Sequence, residues 1–340
     1  MSRRYVVIGG GAVGSVLAAQ LELAGIRTVL VARGAHLEAI REHGLRVRRP
    51  GGDDLVRLAV AAGAAEVRLT QDDVLVLAVK SQDADAALAG WAWRPVLAER
   101  CGSVAADLPI LTFQNGLAAE DAALRRFSTV YGVTIGIAAS YLEPGEVVSP
   151  SYPVVGVAWL GLHPAAKRDA DPLQASLVGD LRAAGFHVEP VNDIATWKAR
   201  KLLANVNNGL DVLDGSDAER VEARLALVAE TRRVLDAAGV LPATDTGLGG
   251  GTLIVESVPG HTPGRLSTWQ SFARGASSEV DHLNGEVVLI ARRHGLDAPL
   301  NERLQRLLGR QAVEGAPPGA HTLHDLLAAH RRTELERTAS

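Results

Sequence analysis

The sequence predicts an α/β domain over residues 1–190 and an all-helical domain over residues 191–340. Up to about residue 190, short apolar runs rich in β-branched residues alternate with helical patterns, which is typical of a mostly parallel sheet. Beyond that point strand signals nearly vanish, and several helical patterns end at glycine. The length of 340 residues also exceeds that of one typical domain.

The composition narrows the classes of function. The formal net charge is −4, with basic and acidic residues mixed along the chain, so nucleic acid is not expected as a partner. No apolar run reaches the roughly 18 residues of a membrane span, and the start lacks the long apolar run and cleavage site of a signal peptide. The single cysteine, Cys101, excludes an internal disulfide and fits a cytoplasmic location.

The first predicted element is the strand YVVI at 5–8, followed by a glycine-rich turn and the helical pattern SVLAAQLELAG. The turn consists of Gly9, Gly10, Gly11, Ala12, Val13 and Gly14. Gly9 permits the tight turn, Gly11 lets the backbone approach a pyrophosphate, and Gly14 lets the helix pack closely on the strand. We therefore predict that these six residues bind a dinucleotide cofactor in a Rossmann domain.

The end of the second predicted strand, TVLVA at 28–32, bears on the choice of cofactor. NAD-binding domains usually place Asp or Glu there to bind the ribose hydroxyls. This chain has Arg33, whose guanidinium can bind a 2′-phosphate through paired hydrogen bonds, whereas a carboxylate would repel it. We therefore predict NADP(H) rather than NAD, the alternative being a surface arginine without a ligand.

Polar residues also follow two later strands. The apolar run DVLVLAV at 73–79 ends at Lys80, and PILTF at 109–113 leads through Gln114 to Asn115. In open α/β sheets, ligands bind beyond the carboxyl ends of the strands. Lys80 and Asn115 are therefore candidate ligand contacts, although a solvated charge and a turn residue would also fit these positions.

The remaining segments complete the two halves. In the first half we expect a hairpin formed by 45–49 and 55–60, and helices over 82–100 and 170–185. Further strands within 129–162 and at 187–191 complete a sheet of six or more strands. In the second half, six segments have helical spacing: 194–208, 218–238, 266–274, 278–294, 301–313 and 322–336. We predict a loop at 241–265 and, around His321, His324 and His330, a solvated tail rather than a metal site.

The stretch WKARKLLANVNNGL, residues 197–210, is unusual for a helix. The chain has 4 lysines against 31 arginines, and Lys198 and Lys201 are two of the four. Burial can bring the pKa of a lysine near neutrality, whereas an arginine stays charged. On a helix, one face would carry residues at spacings of 4, 4 and 3: Trp197, Lys201, Asn205 and Asn208. Such a face could bind a carboxylate or hydroxyl and protonate a carbonyl oxygen.

Six motifs follow one another from about residue 5 to residue 310. They are VVIGGGAVG, Arg33, LAVK with Lys80, FQNGL with Asn115, KLLAN from Lys201 to Asn205, and STWQS with SEVDHLNG, which carry Ser267 and Glu279. In their order and spacing the chain resembles the ketopantoate reductase (2-dehydropantoate 2-reductase) family. The resemblance implies a Rossmann domain, a helical C-terminal domain and an active site in the cleft between them. It also implies NADPH-dependent reduction of a 2-keto acid, ketopantoate first, to a 2-hydroxy acid in pantothenate biosynthesis.

The resemblance further implies roles for single residues. Lys201 matches the general acid that protonates the ketone oxygen, and Glu279 matches a glutamate near the cofactor and this lysine. Substrate binding is implied for four residues: Asn115, Asn205, Asn208 and Ser267. Cofactor binding is implied for Lys80, Asn115 and Glu279, beside the glycine-rich turn and Arg33.

Near the substrate residues the chain departs from the family. Trp197 lies four residues before Lys201 instead of two, and Asn208 lies seven after it instead of eight. A register in which Lys198 is the acid therefore stays open. A related reductase for a different ketone and a non-catalytic NADP-binding sensor are the alternative functions. A further hypothesis is a homodimer that forms through the helical domain.

Overall fold

The computed structural model describes residues 3–98, 102–165, 171–244, 253–261, 267–273, 275 and 278–338, without the side chains of residues 142, 267, 270, 329 and 332–338. The helices are α1 (Ala12–Leu23), α2 (Gly34–His43), α3 (Ala84–Ala92), α4 (Ala119–Leu124), α5 (Pro172–Ala183), α6 (Ile194–Asn205), α7 (Asp217–Ala237), α8 (Ser267–Ala273), α9 (Val280–Arg293), α10 (Pro299–Glu314) and α11 (Leu323–Thr338). Short 3₁₀ turns span Ala64–Glu66, Ser81–Asp83, Ala105–Asp107 and Asn208–Val212.

The strands follow the same order along the chain. They are β1 (Arg4–Ile8), β2 (Thr28–Val31), β3 (Leu45–Arg49), β4 (Gly52–Val56), β5 (Ala59–Ala61), β6 (Leu69–Thr70), β7 (Asp73–Leu77), β8 (Val96–Leu97), β9 (Ile110–Thr112), β10 (Val130–Gly136), β11 (Ser140–Glu143), β12 (Glu146–Val148), β13 (Ser151–Pro153), β14 (Val157–His163), β15 (His187–Pro190) and β16 (Leu253–Val255). Cys101 and Lys167 lie outside the described residues.

The chain separates into two compact units. The first comprises Met1–Gln114, Ala119–Trp197 and Asp245–Pro263, and the second comprises Asn115–Ala118, Lys198–Thr244 and Gly264–Ser340. The division falls within α6, a few residues after the position at which the sequence pattern changes. The domain bounds 1–190 and 191–340 stay a prediction.

The first unit is built on an eight-stranded sheet of order β15-β14-β10-β9-β7-β1-β2-β5. Its strand pairs are parallel except β10 with β14. Alternate residues of β1 point to opposite faces: Tyr5 and Val7 pack with α1 and α5, whereas Val6 and Ile8 pack with α3. Covering both faces with helices explains why β7 is buried along its whole length. The predicted α/β class is confirmed.

Two expectations for this unit are wrong in detail. The segment 55–60 is not one strand, because β4 pairs with β3 and ends at Val56, whereas β5 pairs with β2 in the main sheet. Leu55 is 62 % exposed, so the apolar run was not a sign of a single buried strand. The helix expected over 82–100 ends at Ala92. Pro95 disfavours helical backbone just before it, and the short strand β8 follows.

The described residues of the second unit form helices around one apolar core, which confirms the predicted helical half. Leu202 of α6, Leu227 of α7 and Leu304 of α10 are all fully buried in this core. The predicted loop 241–265 is wrong in one respect, because it contains β16, which belongs to the first unit and pairs there with β13. Among the described helices, none has the length and hydropathy needed to cross a membrane.

The C-terminal segment is not the solvated tail that the sequence suggested. Residues 323–338 form α11, which packs on α7 and α10. Leu323, Leu326 and Leu327 are fully buried in the core of the second unit. At the first residue of the helix, the backbone N–H of Leu323 donates to the carbonyl of Asp214 at 2.7 Å. The apolar residues of this segment therefore complete the core of the second unit. Their burial depends on the helices that they contact and not on their own sequence pattern.

Candidate active site

The parallel strands of the first unit end level with one another. In the registers of β1, β2, β7 and β9, Ile8 lies beside Val31 and Leu77, and Leu77 lies beside Thr112. The residues that follow these ends are those singled out from the sequence. The glycine-rich turn follows β1, Arg33 follows β2, and Lys80 follows β7. The sheet therefore brings these three features to its carboxyl edge, where open α/β folds bind ligands.

The glycines of the turn have different surroundings. Gly9 has φ +123°, and a Cβ there would lie 2.7 Å from the backbone nitrogen of Val79. A Cβ on Gly14 would lie 2.0 Å from the carbonyl oxygen of Gly9, so α1 starts against the turn. A Cβ on Gly11 would meet no protein atom within 4 Å. Gly11 is also the N-cap of α1 and has no side chain to cap the helix. The free N–H groups of the first turn thus adjoin open space, which suits a phosphate.

Arg33 and Lys80 stand at comparable positions after their strands. Arg33 is exposed and is the N-cap residue of α2. Lys80 is half-buried and precedes the 3₁₀ turn Ser81–Asp83. The amide of Gln114 donates to the carbonyls of Leu77 and Val79, both at 2.9 Å. This buried glutamine fixes the backbone that leads into Lys80. Sequence analysis missed its role, although it lies within the FQNGL motif.

Asn115 begins a short segment that packs with the helical unit. Gly116 has φ +84°, and a Cβ there would lie 2.5 Å from the carbonyl oxygen of His282 in α9. Only glycine allows this approach of the 115–118 segment to α9. Asn115 is half-buried beside this contact. Its place therefore depends on Gly116 as much as on the strand β9 before it.

In α6, Trp197 and the two lysines have different environments. The Trp197 ring stacks on Trp159 of β14, with centroids 4.5 Å apart and planes at 20°. Lys198 is only 2 % exposed, whereas Lys201 is partly buried. The residues are one turn apart, so the two ammonium groups lie on neighbouring parts of the helix surface. The stack with Trp159, which no local pattern indicates, was missed by sequence analysis.

The surroundings of Lys201 strongly lower its pKa. Its pKa falls from 10.5 to about 7, chiefly through burial and secondly through the positive charge of Lys198. The carboxylate of Glu279 acts in the opposite direction and raises this pKa. A lysine with a pKa near 7 can both hold and release a proton at neutral pH. The surroundings of Lys201 thus fit acid–base chemistry, the property for which the scarce lysines were singled out.

The asparagines do not share one helix face as expected. The helix α6 ends at Asn205, and Asn208 starts the 3₁₀ turn instead of continuing the helix. The side chain of Asn207 donates to the carbonyls of Leu203 and Ala204, so it covers the helix end. The side-chain nitrogen of Asn205 is buried and has no hydrogen-bond partner among the described residues. A buried donor without a partner costs free energy, and an acceptor atom on a bound ligand would remove this cost at Asn205.

Ser267 and Glu279 each adjoin the start of a helix. Ser267 opens α8, which packs on the 3₁₀ turn Asn208–Val212, and its side chain lies outside the described residues. Glu279 is the N-cap residue of α9 but makes no side-chain capping bond. The hydroxyl of Ser278 accepts from the N–H of Val280 at 3.0 Å instead. The negative charge of Glu279 acts on Lys201, whose pKa it raises.

Two sequence models of one known family match most of the chain. The model described as "Ketopantoate reductase PanE/ApbA" matches residues 5–157. The model described as "Ketopantoate reductase PanE/ApbA C terminal" matches residues 193–312. The chain belongs to the ketopantoate reductase family. The resemblance inferred from the six motifs is thereby confirmed, and the family is one of oxidoreductases.

Individual members of the ketopantoate reductase family and related structures match this chain over most of its length. The 2-dehydropantoate 2-reductase of Halobacterium salinarum is 31 % identical over 326 residues, covering 90 % of this chain and 97 % of the relative. The PanE/ApbA family ketopantoate reductase of Ralstonia eutropha JMP134 has a TM-score of 0.73 at 24 % identity, covering 92 % of this chain and 99 % of that one. A D-mandelate dehydrogenase bound to NADH and anilino(oxo)acetate has a TM-score of 0.74 at 20 % identity, with the same coverage. The two structures share the fold with this chain.

One further residue beside the glycine-rich turn of this family member was missed by sequence analysis. His36 of α2 is buried, and its Nδ1 accepts from the N–H of Gly145 at 2.9 Å. Its Nε2 lies 3.2 Å from the hydroxyl of Ser15 in α1. Burial lowers the pKa of His36, which favours the neutral ring that this acceptor role requires. A lone histidine in a helical pattern gave no signal of this role.

Proposed function

We propose that this chain is an NADPH-dependent reductase that converts a 2-keto acid into a 2-hydroxy acid, with ketopantoate as the first candidate substrate. The observation that carries the proposal is the partly buried Lys201, whose pKa of about 7 is set by burial, Lys198 and Glu279. Family membership supports the reaction class. The cofactor and the substrate are inferred from the residues below.

The first unit has the features that a dinucleotide requires. The open space at Gly11, next to the start of α1, is a cradle that any side chain would fill. The pyrophosphate would bind here, with Gly10, Ala12 and Val13 completing the turn. Lys80 would add a positive charge from the end of β7. A structurally similar D-mandelate dehydrogenase was solved with NADH, which supports a nicotinamide cofactor.

A matched pair of glycine variants tests this cradle. Gly14→Ala places a methyl group 2.0 Å from the Gly9 carbonyl oxygen. We expect it to lower both the stability, by about 1–3 kcal/mol, and the affinity for NADPH. Gly11→Ala meets no protein atom, so we expect an unchanged Tm and weaker NADPH binding. Thermal unfolding and NADPH fluorescence titration measure the two effects. Full NADPH affinity in Gly11→Ala would contradict the cradle.

Arg33 supports NADPH over NADH. It is exposed at the N-cap of α2 and follows the end of β2, so its guanidinium is available to a 2′-phosphate. We expect Arg33→Ala to raise the KM for NADPH roughly 10- to 100-fold and to change the KM for NADH little, because only NADPH has that phosphate. Steady-state kinetics with both cofactors measure the ratio. Exposed Arg125→Ala is the control for a general loss of positive charge. Equal loss with both cofactors would reject the assignment.

The second unit supplies the groups that act on the ketone. Protonated Lys201 would donate its proton to the carbonyl oxygen, and the bound cofactor would supply hydride to the carbonyl carbon. One hydride and one proton convert the ketone into the alcohol, which leaves Lys201 neutral. With a pKa of about 7, Lys201 can regain a proton from solvent at neutral pH. The negative charge of Glu279 favours the protonated, competent form.

Polar side chains near Lys201 would hold the substrate. Asn205 lies one turn after Lys201, and its side-chain nitrogen, which has no partner in the described part of the chain, would donate to a hydroxyl or carboxylate of the substrate. We retain Asn115, Asn208 and Ser267 as proposed substrate contacts on the strength of the family motif. Asn208 would act from the 3₁₀ turn rather than from the helix face.

A second candidate is a 2-keto acid with a different substituent. The departures in spacing before and after Lys201 lie next to the proposed substrate contacts. The D-mandelate dehydrogenase fold, which accommodates anilino(oxo)acetate in that protein, covers 92 % of this chain. Aromatic 2-keto acids therefore belong beside ketopantoate in any substrate panel.

The deciding experiment follows NADPH absorbance with purified protein and a panel of 2-keto acids. Turnover of ketopantoate with the highest kcat/KM would support the first candidate. Higher kcat/KM for an aromatic 2-keto acid, such as phenylglyoxylate, would favour the second. Tight NADPH binding without turnover of any 2-keto acid would overturn the reductase proposal and favour a sensor.

A further inference from the structure

We propose that Asn284 is a positioning residue that holds the end of α6, and with it the proposed substrate-binding asparagines, in one conformation. Its catalytic consequence rests on the proposed function. The positioning itself can be tested without any substrate.

Asn284 lies in α9 and is only 1 % exposed. Its side-chain nitrogen donates to the carbonyl oxygen of Val206 at 3.0 Å and to Oδ1 of Asn301 at 2.9 Å. Val206 is the residue after Asn205 and two before Asn208. One buried amide thus contacts the backbone between the two asparagines.

The orientation of this amide is determined by further bonds. The side-chain nitrogen of Asn301 donates to Oε1 of Glu230 at 2.9 Å and to the hydroxyl of Thr231 at 3.2 Å. The side-chain oxygen of Asn301 must therefore face Asn284. The Glu230 carboxylate also accepts from the backbone N–H groups of Leu300 and Asn301, at 3.1 and 2.9 Å, which caps the start of α10. The network links α7, α10 and α9 to the end of α6.

The Val206 carbonyl needs such a partner because of where the helix ends. The last carbonyls of a helix have no N–H group of their own helix to accept from. The chain tightens here: the N–H of Val206 still bonds to Leu202, whereas that of Asn207 bonds to Ala204. Val206 itself is fully buried, so water offers its carbonyl no easy replacement.

Packing on the other side leaves the turn little room. A Cβ on Gly209 would lie 2.6 Å from Cδ1 of Leu308 in α10. The 3₁₀ turn that starts at Asn208 therefore lies against α10 directly after the bonded carbonyl. A shift of Val206 would move Asn205 and Asn208 relative to Lys201. It would thereby change the arrangement of the side chains proposed to bind the substrate.

The test replaces the donor by an apolar group of similar size. In Asn284→Leu, the carbonyl of Val206 and the Oδ1 of Asn301 lose their donor. We expect the KM for the 2-keto acid to rise roughly 10- to 100-fold, with a smaller change in kcat and unchanged NADPH affinity. We also expect faster amide hydrogen exchange over residues 206–210. Asn284→Ala serves in the same assays if the leucine variant does not fold.

Thr231→Val is the matched control. Thr231 is fully buried in the same network, but its hydroxyl accepts from the side-chain nitrogen of Asn301 and not from Asn284. We expect this variant to lower the Tm while leaving both the KM and the exchange of residues 206–210 unchanged. A double-mutant cycle with Asn205→Ala should show less than additive effects on KM, since Asn284 acts through that segment.

The outcomes are distinguishable. If Asn284→Leu resembles Thr231→Val in exchange over 206–210 at equal stability, Asn284 is only a packing residue and the proposal is wrong. If exchange rises but the wild type reduces no 2-keto acid, the positioning holds and the proposed function fails. If exchange and KM both rise in Asn284→Leu alone, the proposal is supported.

Discussion

Replacing Lys201 with methionine is expected to lower kcat by roughly 10²- to 10⁴-fold, while NADPH affinity stays within a few-fold of wild type. Methionine keeps the length of the side chain but carries no proton to donate. The alkoxide that forms on hydride transfer would then depend on water for its proton. Stopped-flow or steady-state kinetics with NADPH measure the loss, and fluorescence titration measures cofactor binding.

Lys198→Met is the matched control for this experiment. Lys198 lies in the same helix and is more buried than Lys201. If Lys198 only influences the charge near Lys201, its replacement should retain most of the activity at neutral pH. Activity kept in Lys201→Met but lost in Lys198→Met would assign the proton donor to Lys198 and overturn the role proposed for Lys201.

The pH dependence of kcat gives a second readout of the same residue. Because the donor must be protonated, kcat should fall as the pH rises through about 7. Lys198→Met removes a positive charge that lowers the Lys201 pKa, so the fall should move to higher pH. Glu279→Gln removes a negative charge that raises this pKa, so the fall should move to lower pH. Shifts in the opposite directions would contradict the charge assignment.

Burial of Lys201 also predicts a stability effect. The pKa in the folded protein, about 7, lies below the ordinary value of 10.5, so the unfolded chain binds the proton more tightly. The charged lysine therefore costs the fold stability in full below pH 7, and this cost vanishes above pH 10.5. Lys201→Met should raise the Tm at a pH below 7 and have little effect above 10.5. A gain independent of pH would indicate better packing instead.

Replacing Leu326 with alanine is expected to lower the free energy of unfolding by about 2–5 kcal/mol. Leu326 of α11 is fully buried with Leu323 and Leu327 in the core of the second unit. Its truncation leaves a cavity in this core, while the backbone bonds of Asp214 to His321 and Leu323 still hold the start of α11. Urea unfolding followed by circular dichroism measures the change.

Val313→Ala is the control for this loss. Val313 lies in α10 and is 90 % exposed, so its truncation should change stability by less than about 0.5 kcal/mol. A chain that ends after Glu314 should lose more than Leu326→Ala, because all three leucines leave the core. Equal stability of the full and shortened chains would contradict the structural role of α11.

Much of the α/β half could be predicted because its signals are local. A buried strand shows as a continuous apolar run, and β7 was recognised in this way. The glycines of the first turn were recognised because a tight turn and a close helix each need a missing side chain. Strand registers then explain why Arg33 and Lys80, distant in sequence, come to one edge. The rule about strand ends required only the order of the elements.

Other features depended on partners that no local pattern reveals. The end of β4 at Val56, the end of α6 at Asn205 and the burial of α11 were each misjudged or missed. In each case the same residues would allow another outcome. The observed outcome involves contacts between residues distant in sequence. Strand β4 pairs with β3, the side chain of Asn284 bonds the Val206 carbonyl after the end of α6, and α11 packs in the core of the second unit.

By itself, the sequence determined the class of each half, the glycine-rich turn, the absence of a carboxylate after β2 and the scarcity of lysine. The sequence and its family resemblance pointed to Lys201 as the general acid and left Lys198 as the alternative. Only the tertiary structure shows the surroundings of Lys201, where burial, the charge of Lys198 and the carboxylate of Glu279, 78 residues after Lys201, together set its pKa near 7. Likewise, only the structure shows that Asn284 bonds the end of α6. Patterns of burial repeat locally, whereas a pKa and a satisfied hydrogen bond depend on groups that folding brings together.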